Sequence, residues 1–504
     1  MSIAESTRQN IQMTGPFDSL RDYILALDAR GKLLRVKEID QDQYHATGLM
    51  YRLIDKYGPD GAPAVLFERV KTNGEWQDGP IVSNLYPTWA NEALSLGVED
   101  ITDDEKQMYN AVMDKLKGRM DENSNWEKIA PVEINRNTAP CKEVIITGDN
   151  VDIEKFPWFK NNPSDGGRYI NTGAVIMVDP ELGRNTGTYR CQVKGKIKIG
   201  VNSMPGQHGW RIFSAKKRRG DKVAEVAIAL GADPILWCTS CTKLAGPGED
   251  ELSLAGGLRG KPIELVKCET SDILVPAHAE MIIEGEVPLD QMEPEGPYGE
   301  MYGYMGPRIE DNFFMNVKAI THRHNPWFAN SFTGLSADLQ RGPLMLANYA
   351  RFKKLIPSLT AINPIRGASG ITALSIDKKF PGEGIMAGQY VAANASSKIV
   401  IVLDKDVDVL NTQDILHAVG SRWQPSAHAF TAQTRITMPD PSLPKRGMTS
   451  KIVIDATRQF PEEGGPKSWP PVSRALLEES APNLFNEVDE NWDSYLENWP
   501  SSAS

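Results

Sequence analysis

Residues 188–201 read TYRCQVKGKIKIGV, and from Gln192 onward polar side chains alternate with apolar or small ones. This alternation is typical of a half-buried β-strand. Short apolar runs such as EMIIEGEV (280–287) and NFFMNVKAITHRH (312–324) are separated by Gly, Pro, Asn and Asp. Many short strands with few helices predict a β-barrel-like middle region. We expect two helices to interrupt it, at 208–219 and 221–230.

Both flanks of the middle region alternate helix with strand. On the N-terminal side, Leu20, Tyr23, Ile24 and Leu27 recur at helical spacing, and a strand-like run, LLRVKEI, follows them. On the C-terminal side, SKIVIVLDKDVDV (397–409) contains the short apolar strand typical of a buried parallel sheet. The patterns therefore predict α/β flanking domains.

The predicted architecture is an α/β and β multi-domain chain. We expect an N-terminal α/β domain at 1–138, a central β-barrel domain at 139–328 and a C-terminal α/β oligomerisation domain at 329–504. The closing stretch is helical and acidic, with apolar anchors at Leu476, Leu477, Leu484, Tyr495 and Trp499. Such a stretch would dock on a neighbouring subunit, which predicts a homodimer or a larger homo-oligomer.

Composition narrows the class of protein. The 504 residues carry a net charge of −11, which argues against a nucleic-acid binder. The opening MSIAESTRQN lacks the basic and apolar regions of a signal peptide, and no apolar run approaches the roughly 18 residues of a membrane span. Five scattered cysteines favour reduced thiols over a disulfide framework. We expect a cytoplasmic enzyme that acts without nucleic acid or membrane.

Two carboxylates in EPEGPYGEMYGYMGP (293–307) are the first candidate site. Glu295 and Glu300 stand five residues apart among glycines, a proline and large rings, so a helix is improbable. Apolar neighbours raise a carboxyl pKa, a nearby arginine lowers it, and one of each would divide acid and base roles. The alternative is a surface turn with two incidental acids, and spacing alone leaves both interpretations open.

Other candidates lie upstream in RNTGTYRCQVKG and PGQHGW. Asn185 is expected in a turn and Arg190 early in a strand, where an arginine serves either an ion pair or a substrate carboxylate. Gln207 and His208 open a helix, and His208 either caps it or binds metal with Glu251.

The CxxC motif Cys238–Cys241 follows an apolar run, ADPILW, which we expect to be a strand. No second pair accompanies the motif, so half-buried thiols are favoured over a zinc or redox site.

PEGPYGEMYGY (294–304), ELVKCETSDILVPAHAEMIIEGE (264–286) and DGGRYINTGAVIMVDP (165–180) together resemble the UbiD family of reversible decarboxylases. The resemblance extends from about residue 15 to about residue 470. It implies a central split β-barrel of flavin-reductase type that binds prenylated FMN, and a C-terminal domain that makes the dimer. It also implies a flavin prenyltransferase as the supplier of the cofactor.

The resemblance implies roles for particular residues. Glu295, Arg190 and Glu300 match the catalytic Glu–Arg–Glu set, and Asn185, His208 and Glu251 match the ligands of a Mn²⁺ or Mg²⁺ ion. A K⁺ ion often lies nearby. The cofactor-binding residues would be Asn185, Thr188, Tyr189, Arg190, Gln207, His208, Thr239, Ser240, Cys241 and Glu251.

The implied reaction is non-oxidative loss of CO₂ through a covalent substrate adduct on the cofactor. Aryl and vinyl carbanions need an electron sink that no side chain supplies, so a cofactor is required. Arg190 would orient the carboxylate, Glu300 would deliver the proton, and Glu295 would pair with Arg190.

Two departures separate this chain from the cinnamate/ferulate branch of the family. Thr186-Gly187 replaces Trp-Ser after the metal-site asparagine, and Ala392 falls where that branch has a lysine. A roomier pocket predicts an aromatic or heteroaromatic acid, polycyclic or phenolic, with a cinnamate-type acid as the alternative. A carboxylate-pair hydrolase and a non-catalytic flavin-binding protein are the rivals of other classes.

Overall fold

The computed structural model describes residues 11–246, 248–435, 440–443 and 448–497. The N-terminal unit places helices around a mixed sheet, as the sequence predicts. Its helices are α1 (Leu20–Ala29), α2 (His45–Tyr57), α3 (Trp89–Leu96) and α4 (Glu105–Lys117), and its strands are β1 (Leu33–Asp40), β2 (Ala64–Thr72) and β3 (Glu75–Ser83). Ser19 caps α1 through a bond from the Asp22 amide, and the predicted apolar positions of α1 are buried.

The middle unit is rich in short strands. Its strands are β4 (Val132–Glu133), β5 (Val144–Thr147), β6 (Tyr169–Ile170), β7 (Ala174–Asp179), β8 (Gly183–Thr188), β9 (Cys191–Gly195), β10 (Lys198–Val201), β11 (Val223–Leu230), β12 (Glu264–Lys267), β13 (Leu274–Pro276), β14 (Met281–Pro288), β15 (Glu293–Glu295), β16 (Tyr298–Gly299), β17 (Met305–Gly306), β18 (Ile309–His322) and β19 (Phe328–Ala329). Its helices are α5 (His208–Arg219), α6 (Pro234–Cys241) and α7 (Glu251–Arg259). The run that opened the sequence analysis forms β9 and β10.

One large sheet organises this unit. Its strands follow the order β6-β9-β10-β18-β14-β11-β7-β8, and β5 and β15 also pair with β18. The mixed α/β multi-domain class is confirmed. β6 and β8 lie at the two ends of this path and do not pair with each other. No sheet among the described strands therefore closes on itself, and the expected barrel closure is not seen. β19 leaves this unit and pairs with β3 in the N-terminal sheet.

Two predicted elements of the middle unit are wrong, one because of tertiary pairing and the other because of local capping. The sequence predicts a helix over DKVAEVAIAL (221–230), but this stretch contains β11, which is paired on both sides with β14 and β7. ADPILW was expected to be a strand, but Asp233 accepts the amides of Ile235 and Leu236 and starts α6, with Pro234 in its first turn. A sheet position with two partners overrides the helix propensity of alanine.

The C-terminal unit is a five-stranded sheet with helices on both faces. Its elements are α8 (Gly342–Lys353), β20 (Leu359–Pro364), β21 (Ile371–Ile376), α9 (Glu383–Asn394), β22 (Ile399–Asp404), α10 (Thr412–Arg422), β23 (Ala429–Arg435) and β24 (Met448–Asp455). The strand order is β20-β21-β22-β24-β23, with β21, β22 and β24 parallel. The apolar strand predicted within 397–409 is therefore confirmed as the central β22.

Three short helices end the described chain: α11 (Ser473–Ser480), α12 (Leu484–Glu490) and α13 (Trp492–Tyr495). None of them contains a buried residue. Of the predicted anchors, Trp499 lies outside the described residues. No helix in the described ranges has the length and apolarity to span a bilayer. The predicted domain boundaries at 138/139 and 328/329 stay predictions.

Candidate active site

Arg190, Glu295 and Glu300 lie in or beside separate strands of the middle unit. Pairing with β18 connects the strands next to Arg190 and Glu295. Arg190 lies in the two-residue connection between β8 and β9, just before the strand in which it was predicted. Glu295 ends β15, and Glu300 follows β16. β15 pairs with β18, and β9 reaches β18 through β10. The sheet thereby brings together residues that stand 105 and 110 positions apart in sequence.

The three side chains form one hydrogen-bonded ion triad. Arg190 grips Glu295 with two bonds, Nε to Oε1 at 3.0 Å and Nη2 to Oε2 at 2.9 Å. Arg190 Nη1 donates to Glu300 Oε1 at 2.7 Å. The Glu295 side chain has no solvent exposure, and those of Arg190 and Glu300 are only 13% and 12% exposed. A buried triad of this kind is costly unless every charge has a partner, which the bidentate geometry provides.

Polar and aromatic neighbours complete the surroundings of the triad. Asn202 Nδ2 donates to Glu295 Oε2 at 2.8 Å. The Arg190 guanidinium lies 5.0 Å from the centre of the Tyr298 ring, and Tyr169 packs on Tyr298 at 4.4 Å. Sequence reasoning missed Asn202 and Tyr169, since neither lies in a recognisable motif. Both are found only through contacts with Glu295 and its loop.

The pKa values of Glu295 and Arg190 shift in opposite directions. Burial on its own raises the pKa of Glu295, but the two bonds and the charge of Arg190 outweigh it and hold the pKa below the ordinary range. Burial lowers the pKa of Arg190, and the carboxylates of Glu295 and Glu300 more than offset this, so the pKa is raised. Arg190 and Glu295 are therefore a permanent ion pair.

Glycines let the loop that carries the glutamates pack closely. Gly296 has a φ of +85°, which favours glycine. A Cβ on Gly166 would lie 2.3 Å from the Gly296 carbonyl oxygen, and the Gly166 amide donates to Pro297 O at 2.8 Å. The Gly299 amide donates to Asp165 Oδ1 at 3.0 Å. The backbone of the loop is thus held by close contacts, and glycines next to the two acids allow this close approach.

The three predicted metal ligands lie in one neighbourhood. Asn185 is within β8 and not in a turn as expected, because β8 pairs along its length with β7. His208 is the first residue of α5, as predicted, and Glu251 is the first residue of α7. His208 Nδ1 lies 3.9 Å from Glu251 Oε1, and Tyr189 OH accepts the Gly209 amide at 2.9 Å and contacts Asn185 Nδ2 at 3.4 Å.

The donor set suits a divalent cation. Burial raises the pKa of Glu251 to about 7, and burial with the nearby Arg211 and Lys243 lowers that of His208, which favours the neutral imidazole a metal needs. The Thr186 hydroxyl is buried beside them without a hydrogen-bond partner among the described residues. One amide oxygen, one imidazole and one carboxylate are ligands that Mn²⁺ and Mg²⁺ accept. Within the described ranges, no three His, Cys, Asp or Glu side chains are placed together to hold a metal ion.

The remaining residues that are predicted to contact the cofactor lie in different surroundings. Thr188 Oγ1 lies 3.2 Å from Ser240 Oγ and 3.1 Å from Cys241 Sγ, so β8 and the end of α6 form one polar wall. Gln207 directly precedes α5, and its Oε1 accepts a hydrogen bond from the Met204 amide at 2.7 Å. Thr239 is fully buried and donates to Leu236 O, so its side chain turns into the helix. Ala392 is buried in the core of the C-terminal unit.

Comparison with known proteins identifies the family of the chain. Three domain families of 3-octaprenyl-4-hydroxybenzoate carboxy-lyase match the chain: the N-terminal domain at 24–110, the Rift-related domain at 132–336 and the C-terminal domain at 343–456. A phenolic acid decarboxylase from Sedimentibacter hydroxybenzoicus is 30% identical over 90% of this chain and 94% of its own length. The chain belongs to the UbiD family.

Solved UbiD-class structures share the fold of this UbiD-family chain. The enzyme HmfF from Pelotomaculum thermopropionicum, in complex with FMN, is 29% identical, with a TM-score of 0.74 over 91% of this chain and 98% of that one. An evolved dimeric form of HmfF in complex with prFMN has the same identity and a TM-score of 0.73, over 91% and 97% of the two chains. The UbiD-family chain is accordingly a carboxy-lyase.

Proposed function

We propose that this UbiD-family chain is a reversible, non-oxidative decarboxylase of an aromatic or heteroaromatic acid that uses prenylated FMN. The observation that carries the proposal is the buried triad in which Arg190 grips Glu295 with two bonds and Glu300 with one. The FMN and prFMN complexes of HmfF and the name of the phenolic acid decarboxylase relative support the cofactor and the substrate class.

Arg190 orients the carboxylate that will leave. A guanidinium has five N–H donors, and the bonds to Glu295 and Glu300 use three of them. One donor remains on each of Nη1 and Nη2, which suits a carboxylate placed beside Glu300. Glu295 and the Tyr298 ring keep the guanidinium charged and fixed in place.

Glu300 manages the proton. The bond between the substrate carbon and its carboxylate breaks, CO₂ leaves, and the electron pair stays on the carbon. Prenylated FMN, when bound, supplies the electron sink that makes this pair accessible. The Glu300 carboxyl group then gives its proton to the same carbon, and in carboxylation it accepts that proton. Arg190 holds the pKa of Glu295 below its usual range, which favours the ionised form and a charge-balancing role for this carboxylate.

Asn185, His208 and Glu251 would hold Mn²⁺ or Mg²⁺ next to the cofactor phosphate. Their common neighbourhood and the oxygen-rich donor set support this role. Thr188, Ser240 and Cys241 would line the cofactor, with Gln207 and Tyr189 nearby. The proposal includes a K⁺ ion near Thr186, where Thr186-Gly187 replaces the large ring of the cinnamate/ferulate branch.

The test begins with the cofactor. The chain is co-expressed with a flavin prenyltransferase, purified anaerobically, and examined by absorbance and by the mass of the released cofactor. We expect a flavin-like chromophore and the prenylated mass, and absence of any such chromophore would refute the proposal. Decarboxylation and deuterium exchange are then measured on aryl, heteroaryl and cinnamic acids, and turnover of cinnamic acids alone would refute the substrate class.

The assembly and the location are separate proposals. The C-terminal helices α11–α13 bury none of their residues within the described chain, and an evolved form of HmfF is dimeric, which supports a homo-oligomer built with these helices. The cytoplasmic location expected from the sequence stays a prediction, and cell fractionation would test it.

A further inference from the structure

The residues that follow Glu300 form a projecting turn with one inward side chain. In this segment, called here the Glu300 turn (residues 300–304), the Glu300 amide donates to Tyr304 O and the Gly303 amide to Glu300 O, both at 2.9 Å. Met301 is 51% exposed and Tyr304 is 64% exposed. Tyr302 is half-buried, and its hydroxyl is buried without a hydrogen-bond partner among the described residues.

Tyr302 lies against the C-terminal unit. A Cβ on Gly370, in the turn between β20 and β21, would lie 2.8 Å from the Tyr302 hydroxyl oxygen and 3.0 Å from its Cε1. Gly370 has a φ of +90°, so both its conformation and the close ring favour glycine. The neighbouring Ser369 donates from Oγ to Met301 O at 3.2 Å. Two adjacent residues of the C-terminal unit therefore hold the Glu300 turn.

Glycine backbones enclose Glu300 on its other sides. A Cβ on Gly334, which has a φ of +81°, would lie 2.8 Å from Glu300 O. A Cβ on Gly306 would lie 2.8 Å from both Cγ and Oε1 of Glu300. The path of the Glu300 side chain towards Arg190 is thus set by the position of the turn as a whole. Any shift of the turn moves the carboxyl group relative to the substrate carbon.

We infer that Tyr302 is a positioning residue: its ring, wedged against Gly370, couples the C-terminal unit to the Glu300 turn and sets where the Glu300 carboxyl group points. The inference rests on the proposed role of Glu300 as proton donor. The ring carries this effect, because the hydroxyl makes no hydrogen bond to the described residues. We expect its action on the proton-transfer step, because the turn that carries the Tyr302 ring also carries Glu300.

Three variants separate the ring from the hydroxyl and from the surface. Tyr302→Ala removes the wedge, Tyr302→Phe keeps the ring, and Tyr304→Ala is the matched control, a tyrosine of the same turn whose side chain is exposed. We expect kcat of Tyr302→Ala to fall by at least about tenfold with KM changed less, because a displaced acid loses proton-transfer geometry. Tyr302→Phe should stay within about twofold of the parent because it keeps the ring, and Tyr304→Ala should do so because the side chain it removes is exposed.

Hydrogen–deuterium exchange of the chain without cofactor gives a readout independent of activity. Tyr302→Ala should speed exchange in peptides covering 298–306 and 367–371, while Tyr304→Ala should not. Ser369→Ala, at an exposed serine, should speed exchange in the Glu300 turn to a smaller extent.

The outcomes distinguish this inference from the proposed function. If Tyr302→Ala matches Tyr304→Ala in both exchange and kcat, or if Tyr302→Phe loses as much kcat as Tyr302→Ala, the inference is overturned. In the event that Tyr302→Ala does not fold, Tyr302→Leu, which also removes the ring, is measured in its place, and exchange in that variant equal to the parent's overturns the inference. If exchange responds as expected but the parent enzyme with prenylated FMN turns over no acid, the coupling stands and the proposed function fails.

Discussion

At the scale of single residues, burial and charge favour different roles for Glu295 and Glu300 in the triad. Glu295 is the more deeply buried of the two carboxylates in the triad. Its pKa nevertheless lies below the ordinary range, because Arg190 is bound to both of its oxygens. Glu300 receives one bond from the same guanidinium at the edge of the site. This asymmetry supports assigning the static role to Glu295 and the proton to Glu300.

Glu300→Gln removes the proton donor and keeps the shape of the side chain. We expect kcat for decarboxylation to fall by about 100-fold or more, because general acid–base groups contribute roughly that much. Glu293→Gln is the matched control, since Glu293 lies on β15 and pairs with Lys194 and Lys198 outside the triad. Equal activity of the two variants, measured as CO₂ release, would contradict the assignment.

The lowered pKa of Glu295 predicts how stability depends on pH. A carboxyl group whose pKa is depressed in the folded state stabilises the fold above its unfolded pKa, near 4.5, and this contribution is lost as the pH falls through the folded value. We therefore expect the unfolding free energy of the parent chain to drop more steeply below pH 4.5 than that of Glu295→Gln. Urea denaturation across this range measures it, and parallel curves would be the contrary result.

At the scale of elements, close backbone contacts keep the glutamate loop in register. The turn around Gly166 touches Gly296 and Pro297 directly, and Asp165 receives the Gly299 amide. The loop therefore depends on residues 130 positions upstream as much as on its own glycines. The same dependence explains why DKVAEVAIAL is a strand: its neighbours β14 and β7 are distant in sequence.

Gly166→Ala should disturb this contact. The new Cβ would meet the Gly296 carbonyl oxygen at 2.3 Å, and backbone cannot yield as a side chain can. Overpacking of this kind costs about 1–3 kcal/mol of unfolding free energy. At the adjacent Gly167, the nearest atom to a Cβ would be the Gln192 side-chain amide nitrogen at 3.3 Å, and the nearest backbone atom, Val193 O, would lie at an ordinary 3.7 Å, so Gly167→Ala is the control. Chemical denaturation should rank Gly166→Ala as the less stable variant, and the reverse order would exclude the contact as the cause.

At the scale of the whole molecule, the C-terminal helices have no partner surface within the described chain. Leu476 and Leu477 on α11 are 44% and 51% exposed, and Tyr495 on α13 is 64% exposed. The sequence predicts these positions, together with the half-buried Leu484, as anchors on a second subunit, and this docking stays a prediction. A second copy of this chain is the occupant that we expect to cover them.

Leu476→Glu combined with Leu477→Glu should weaken self-association, because burying a charge in an apolar contact is unfavourable. Light scattering after size-exclusion chromatography should show a lower assembled mass for this variant. Glu478→Gln with Glu479→Gln, on the same helix, should keep the mass of the parent. An unchanged mass of the leucine variant would remove α11 from the interface.

The sequence by itself determined the local elements and the residue types of the site. Helix α1, strand β22 and the glycine-rich setting of Glu295 and Glu300 follow from periodicity and backbone freedom, which depend on neighbours in the chain. Only the tertiary structure decided that β11 is a strand, that Asn202 and Tyr169 adjoin Glu295, and that Tyr302 turns towards Gly370. The physical reason is that hydrogen-bond partners, burial and charge states depend on groups that are distant in sequence. Arg190 and the two glutamates, 105 and 110 positions apart, meet because β15 and, through β10, β9 both join β18.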